Sequence, residues 1–260
     1  MDSVRLHDEP ELVNPCLIAA WPGVGNVALI AATYLKDKLE AVEFGEIKPK
    51  GFFDPGGVFI KGSIIEPAQY PESKFYYHSG GGSGADVLLF LSEAQPAVDL
   101  CEYAGIVLDV AEKLGTRRVY TLAAALTEHH PDKPRVLGAA TTDGLLEELS
   151  KHDVVLASDF YVAGLNGLLL GAAHERNMEG ICLLGETPRY TAKMANPSAS
   201  RAVLEVLSHL LEVEIDMTEL EELASGTDKQ MKEISDRLRR EYLQHFTKPI
   251  WERDEGSENG

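Results

Sequence analysis

Residues 16–39 read CLIAAWPGVGNVALIAATYLKDKL, an apolar run followed by a glycine-containing turn and then a helical pattern. The run from Cys16 to Ala20 is typical of a buried strand. After Val27, apolar side chains recur every three or four residues, as they do on one face of a helix. The turn at residues 21–26 joins the two elements. A strand, a tight turn and a helix in succession indicate an α/β fold.

Similar units follow along the chain. Strand-like runs alternate with helical patterns, the strands at 86–92, 118–122, 154–157 and 180–184 and the helices at 97–114, 164–176 and 198–211. This alternation predicts a three-layer α/β/α fold with a mainly parallel sheet. The stretch at residues 51–77 is rich in glycine, proline and aromatic residues, and it predicts a hairpin-like insertion.

The composition changes after residue 215, where charged residues surround regularly spaced leucines and isoleucines. The pattern predicts amphipathic C-terminal helices that Gly226 divides in two and whose apolar stripe packs either on the chain's own sheet, which is favoured, or on a partner. We therefore predict an α/β/α domain at residues 1–215 and a charged helical extension at 216–250. Residues 251–260 are predicted to be a disordered tail.

The charge balance limits the classes of partner. The chain has 24 basic and 42 acidic residues, a net charge of −18, which argues against binding to nucleic acid or to an anionic membrane surface. No apolar run is long enough to span a bilayer, and the first residues are acidic, so we expect a cytoplasmic protein. Three widely spaced cysteines predict buried thiols rather than a metal site.

The turn at residues 23–28 satisfies the G-x-G-x-x-A form of the dinucleotide-binding fingerprint, and Glu43 or Glu46 follows about 20 residues later. Pro22, however, lacks the backbone N–H that a phosphate cradle needs at this place. Three interpretations therefore remain: a structural turn in which Asn26 caps the helix, a small-ligand or anion site, and a dinucleotide site.

Other candidate residues follow later strands. His129 and His130 lie after the strand at 118–122, and neither a second pair of ligands nor an H-E-x-x-H motif accompanies them. The glycines at 164 and 167 indicate that another segment approaches the backbone closely there. Arg189 is suited either to bind the carboxylate of a ligand or to form an ion pair at the surface. No catalytic constellation, metal site or cofactor is predicted. The candidate ligand-binding residues are Trp21, Pro22, Gly23, Gly25, Asn26, His130, Gly164, Asn166 and Gly167.

The order of several short motifs resembles the proteasome assembly chaperone 2 family. The resemblance extends over about residues 15–211, and its motifs are Ala20 to Ala28, Phe52-Phe53-Asp54, Gln95-Pro96, His130-Pro131, Gly138 to Thr141, Gly164 to Gly167, Leu183 to Pro188 and Asn196-Pro197. It implies a fold similar to the phosphorylase/hydrolase-like fold and assembly into a homo-oligomer. It also implies proteasome subunits or another protein assembly as partners, since eukaryotic relatives act in proteasome α-ring assembly.

Two hypotheses on function follow. The first is a non-enzymatic, chaperone-like or scaffold protein that acts through homo-oligomerisation and protein–protein contacts, with the C-terminal helices as a partner surface. The alternative is a small-molecule or nucleotide-binding protein, or an enzyme, with an anion site at the turn at residues 21–26.

Overall fold

A computed structural model describes residues 3–81, 84–131 and 133–247, with side chains except at residues 238, 239 and 241–247. Its strands are β1 (Val4–Leu6), β2 (Cys16–Ala20), β3 (Val42–Ile47), β4 (Ile60–Lys61), β5 (Ile64–Ile65), β6 (Ser73–His78), β7 (Val87–Ser92), β8 (Arg118–Thr127), β9 (Val136–Ala140), β10 (Val154–Leu156) and β11 (Glu179–Pro188). Its α-helices are α1 (Val27–Lys38), α2 (Leu100–Lys113), α3 (Asp143–Leu149), α4 (Gly164–Glu175), α5 (Pro197–Leu211) and α6 (Thr218–Thr247).

The main sheet has nine strands in the order β1-β3-β6-β7-β2-β8-β11-β9-β10. The predicted α/β fold class is confirmed, but the sheet is mixed. The four central strands β7, β2, β8 and β11 are parallel, whereas β1, β3 and β6 on one side and β9 on the other pair antiparallel with their inner neighbours. Among the described residues, no helix lies between β3 and β6 or between β6 and β7, and without such a crossover adjacent strands run antiparallel.

Strand β9 is not among the strands predicted from the sequence. Its sequence, VLGAA, contains glycine and alanine, which have low β-propensity. A small residue is required at Gly138, because a Cβ atom there would lie 2.5 Å from Val154 Cγ1 on the neighbouring strand. Tertiary packing, rather than the local sequence pattern, therefore determines that this segment forms a strand.

Helices cover both faces of the sheet. Alternate residues of β2 point to opposite sides, Ile18 and Ala20 into the core with α1 and α5, and Leu17 and Ala19 into the core with α2 and α4. The second core contains a cluster of aromatic side chains, with Phe75 and Phe90 in contact at 4.7 Å between ring centroids. This arrangement places α1 and α2, which follow the adjacent strands β2 and β7, on opposite faces.

The C-terminal segment forms one helix, α6, so the predicted division at Gly226 is wrong. Leu220 and Met231 are buried, and Ser198 Oγ of α5 donates to Asp228 Oδ2 at 2.7 Å, so α6 packs within its own chain, as favoured from the sequence, but on α5. The domain division at residue 215 stays a prediction, and the predicted tail at 251–260 lies outside the described residues. Among the described residues, no helix combines the length and apolarity needed to cross a bilayer.

Candidate functional site

A crevice of about 630 Å³ lies at the carboxyl ends of the central parallel strands. Trp21 follows β2, Gln95 follows β7, Ala124 and Leu184 lie near the ends of β8 and β11, and Arg189 follows β11; all five line the crevice. The helices after β2 and β7 lie on opposite faces of the sheet, so this is a topological switch point. Open α/β sheets bind ligands at such points.

The structure brings together some of the predicted site residues and separates others. Trp21, Gly23, Gly164 and Asn166 line the crevice. Asn26 faces a groove between α1 and α6, and Gly167 lines a neighbouring cavity beside α4. Ligand binding by these residues stays a prediction.

The turn at residues 21–26 is held by backbone hydrogen bonds. Gly25 N donates to Ala192 O at 3.0 Å, and Asn196 N donates to Gly25 O at 2.8 Å. Asn26 N donates to Gly23 O, also within the turn. Gly25 has a φ of 63°, in the left-handed region that favours glycine. The Gly25 and Asn26 amides therefore hold the turn together rather than point at a ligand.

Asn26 occupies the position before α1, but its side chain makes no capping hydrogen bond, so the predicted cap is wrong. Its φ of 49° is also left-handed, a conformation that asparagine tolerates better than most residues. The first amide of α1, that of Val27, donates to Val24 O instead. The three-residue 3₁₀ turn at Val24–Asn26 therefore leads directly into α1.

The glycines at the start of α4 permit the predicted close approach. A Cβ atom at Gly167 would lie 2.1 Å from Val162 O, and one at Gly164 would lie 2.7 Å from Gln95 Oε1. Gly164 also has a φ of 71°. The first contact places Val162, in one wall of the crevice, against the first turn of α4, and the second places the Gln95 side chain at the start of the same helix.

His130 lies outside the crevice lining, with its Nδ1 3.1 Å from the Tyr190 hydroxyl. Among the described residues, no group of three or more histidine, cysteine, aspartate or glutamate side chains is placed to hold a metal. Of the three cysteines, Cys182 is buried, Cys16 is partly buried and Cys101 is exposed, so the prediction of buried thiols is wrong for Cys101. Burial raises the pKa of Cys182 to about 11.

The polar groups of the crevice are few. Gln95 Nε2 donates to Pro22 O at 3.0 Å, which joins the turn after β2 to the segment after β7. The Asn166 side chain is only 9% exposed, and its Oδ1 has no hydrogen-bond partner among the described residues. Arg189 Nε donates to Glu128 Oε1 at 3.0 Å, which is the surface ion pair, one of the two roles left open for this arginine. Gln95 was missing from the predicted site because only the fold brings β7 beside β2.

A second feature of interest is the hairpin of β4 and β5, which lies within the predicted insertion at residues 51–77 and confirms its hairpin; the assignment of residues 73–77 to the insertion is wrong, because they belong to β6 of the main sheet. Gly62 and Ser63 both have positive φ, as a two-residue type I′ turn requires. Residues 56–65 are all exposed. Five of them are large and apolar, each more than half exposed: Val58, Phe59, Ile60, Ile64 and Ile65. Contiguous exposed apolar patches are uncommon on protein surfaces and are found at sites of interaction.

Comparison with known proteins identifies the family. The model of the PAC2 family matches residues 17–235, which is most of the chain. The chain belongs to the PAC2 family. Its sequence is 30% identical over 235 residues to MJ1210, an uncharacterised protein of Methanocaldococcus jannaschii, covering 88% of this chain and 86% of that protein.

Solved PAC2-like structures share the fold. Pyrococcus furiosus PbaB, described as an archaeal proteasome activator, superposes with a TM-score of 0.78 at 29% identity, covering 89% of this chain and 98% of PbaB. The proteasome-assembly chaperone homologue Rv2125 of Mycobacterium tuberculosis gives 0.72 at 21% identity, covering 84% and 94%, and supports the fold alone. Family membership and the PbaB likeness support a chaperone-like role and protein partners.

Proposed function

We propose that this PAC2 protein is a non-enzymatic, chaperone-like assembly factor that forms a homo-oligomer and contacts proteasome components. The observation that carries the proposal is the exposed apolar hairpin of β4 and β5 on a chain with the fold of PbaB. Exposed apolar side chains gain about 25 cal/mol for each Å² that a partner covers, so the hairpin is suited to protein contact. We assign this hairpin as the surface that contacts the partner.

The hairpin has little role in the fold of its own chain. In the part of the chain that the structure describes, its two strands pair only with each other and form a separate two-stranded sheet. Phe52 and Phe53, by contrast, precede the hairpin and pack on Tyr103 of α2, which anchors its base. Changes at the tip of the hairpin therefore alter the surface while the core stays intact.

The proposed place of action is the cytoplasm. All three cysteines are free, and the exposed Cys101 thiol would be open to oxidation outside a reducing compartment. The net charge of −18 agrees with a protein that avoids nucleic acid and anionic membranes. It also favours partner surfaces that carry basic residues.

The test compares wild-type protein with a variant in which Phe59, Ile60 and Ile64 are replaced by threonine. Both are mixed with purified proteasome α subunits from the same source, and binding and native mass are measured by analytical ultracentrifugation. We expect wild type to bind and the variant to lose at least about tenfold in affinity, since central apolar anchors carry most of an interface's energy.

A matched control replaces Val42, which is 54% exposed on β3, by threonine. This removes an exposed apolar side chain outside the hairpin and is expected to leave binding unchanged. A monomeric wild-type protein that binds no α subunit would contradict the proposal. Equal binding by the hairpin variant would contradict the assignment of the hairpin.

A further inference from the structure

Two depressions lie side by side on one surface of the molecule. The crevice at the carboxyl ends of the central strands has a volume of about 630 Å³, and the cavity beside α4 has a volume of about 710 Å³. Phe160 and Tyr161 line both of them. The two side chains are 47% and 86% exposed, so they form an aromatic ridge between the depressions.

The surface around the aromatic ridge is apolar. Leu126 lines the crevice and Leu168 lines the cavity beside α4, and each is more than a third exposed. Small residues also line the depressions, among them Ala123, Ala124, Ala139 and Gly180. Small lining residues leave room for the side chains of a partner.

Charged side chains are scarce on this surface. None of the described residues that line the two depressions is acidic, although the chain contains 42 acidic residues. Arg189 lines the crevice and pairs with the exposed Glu128, and the exposed Asp159 precedes the ridge. The cores of protein interfaces are depleted of charged residues and enriched in aromatic residues. The surface therefore has the composition of an interface core.

A second copy of the chain is the partner that this surface fits. Each copy carries a net charge of −18, so two copies repel each other and associate most favourably where acidic side chains are few. The ridge also stands directly beside a depression on the same surface. A twofold axis places such a ridge opposite such a depression twice, which makes the surface self-complementary.

The surface is large enough for a stable dimer. Fifteen residues line the cavity beside α4 and 16 line the crevice, and four of them are shared. One side of a standard protein interface contains about 20–30 residues. Large aromatic side chains that fill pockets near the centre carry most of the binding energy of an interface. The aromatic ridge supplies such side chains at the middle of this surface.

We propose that this surface joins two copies of the chain about a twofold axis, with Phe160 and Tyr161 of each copy inserted into the cavity beside α4 of the other. The proposal rests on the homo-oligomer of the proposed function and adds the surface that forms it. None of residues 56–65 lines either depression, so the hairpin of β4 and β5 stays available to the heterologous partner.

The test measures self-association of the full-length protein by sedimentation equilibrium. Tyr161→Ala removes the more exposed ring of the ridge, and Leu168→Glu places an acidic side chain on the surface. We expect wild type to form a dimer or a multiple of it, and each variant to raise the dissociation constant of the dimer at least about tenfold. Tyr161 is 86% exposed, so its variant should keep the fold, which circular dichroism checks.

Phe59→Ala and Leu223→Glu are the matched controls. Phe59 is an aromatic residue of the hairpin and is 64% exposed, and Leu223 is a leucine on α6 and is 56% exposed. Neither lines the two depressions. Both control variants should dissociate with the constant of wild type.

A photo-cross-linking amino acid at position 161 tests the geometry of the contact. Irradiation should give a product of twice the mass of the chain, which arises only from a link between two copies. Peptide mapping should join position 161 of one copy to residues that line the cavity beside α4 of the other, such as those at 139–141 or 167–174. The same amino acid at position 223 should give no such product.

Three results would overturn the proposal. They are a monomeric wild-type protein up to about 100 μM, a wild-type dissociation constant in either Tyr161→Ala or Leu168→Glu, and loss of α-subunit binding in these variants with an unchanged oligomer. The last would assign the surface to the heterologous partner. The first also removes the homo-oligomer from the proposed function, whereas the second leaves it intact, so the two proposals fail in distinguishable ways.

Discussion

Asn196 N donates a hydrogen bond of 2.8 Å to Gly25 O, and a Cβ atom at Gly25 would lie only 3.1 Å from Asn196 Cβ. This contact joins the turn after β2 to the start of α5, where Asn196 Oδ1 also accepts from Ala199 N. Gly25, the second glycine of the segment that matches the dinucleotide-binding fingerprint, thus has a structural role. It combines a positive φ with close approach to a neighbouring segment.

Gly25→Ala is expected to lower the free energy of unfolding by about 1–2 kcal/mol, because alanine is strained at a φ of 63°. Gly23→Ala is the control, since Gly23 has an extended φ of −162° and open space around its Cβ position. It should change stability by less than about 0.5 kcal/mol. Urea unfolding of both variants checks the prediction, and equal stabilities would refute it.

Two glycines of α4 are expected to respond in opposite directions to alanine. Gly167→Ala places a methyl group 2.1 Å from Val162 O, so the backbone must shift, at a cost of about 1–3 kcal/mol. Gly171→Ala meets nothing within 4 Å and should stabilise the helix by about 0.5–1 kcal/mol. Thermal unfolding measures both changes, and destabilisation by Gly171→Ala would be inconsistent with the packing of α4.

The continuity of α6 predicts that Gly226→Ala stabilises the protein by about 1 kcal/mol. Gly226 lies inside a helix, and its Cβ position is open. If Gly226 instead ended one helix in a left-handed conformation, alanine would be destabilising. Circular dichroism during thermal unfolding distinguishes the two outcomes by the sign of the shift.

Glu186 is expected to make stability depend on pH. Burial alone raises the pKa of its carboxyl, but hydrogen bonds and the charge of Arg135 outweigh burial and hold the pKa below its usual value. Because the folded pKa is depressed, the contribution is present above the unfolded value of about 4.3 and is lost as pH falls through the folded pKa.

Glu186→Gln should therefore cost about 1–3 kcal/mol at pH 7. The difference from wild type should shrink in denaturant titrations below about pH 4. Glu128→Gln is the control, because its ion pair with Arg189 is exposed on both sides and worth little. A wild-type advantage that stays constant down to pH 3 would contradict this account.

Local pattern predicted the elements that are regular and strongly apolar. The strand at Cys16–Ala20 and the helices α1, α4 and α5 follow from hydrophobic spacing, and the glycines at 164 and 167 signalled close approach correctly. The sequence pattern did not predict the antiparallel strands on the two sides of the sheet, because the direction of pairing depends on which strands become neighbours.

The residues of the crevice, too, could be predicted only in part from the sequence. Trp21 begins a turn and Asn166 lies beside glycines that the sequence makes conspicuous, but Gln95 and Phe160 reach the crevice only through the strand order. The predicted anion position in the turn assumed free amides, and a sequence gives no sign that Ala192 O accepts from Gly25. Hydrogen bonds between distant segments decide which amides remain free.

The central claim, that the hairpin of β4 and β5 contacts a protein partner, is tested most directly by a photo-cross-linking amino acid at position 59. Irradiation of the full chain with purified proteasome α subunits, followed by mass spectrometry, should give a cross-link from position 59 to an α subunit. The same amino acid at position 42, exposed on β3, should give none. Cross-links confined to the chain's own residues, or equal yields at both positions, would contradict the claim.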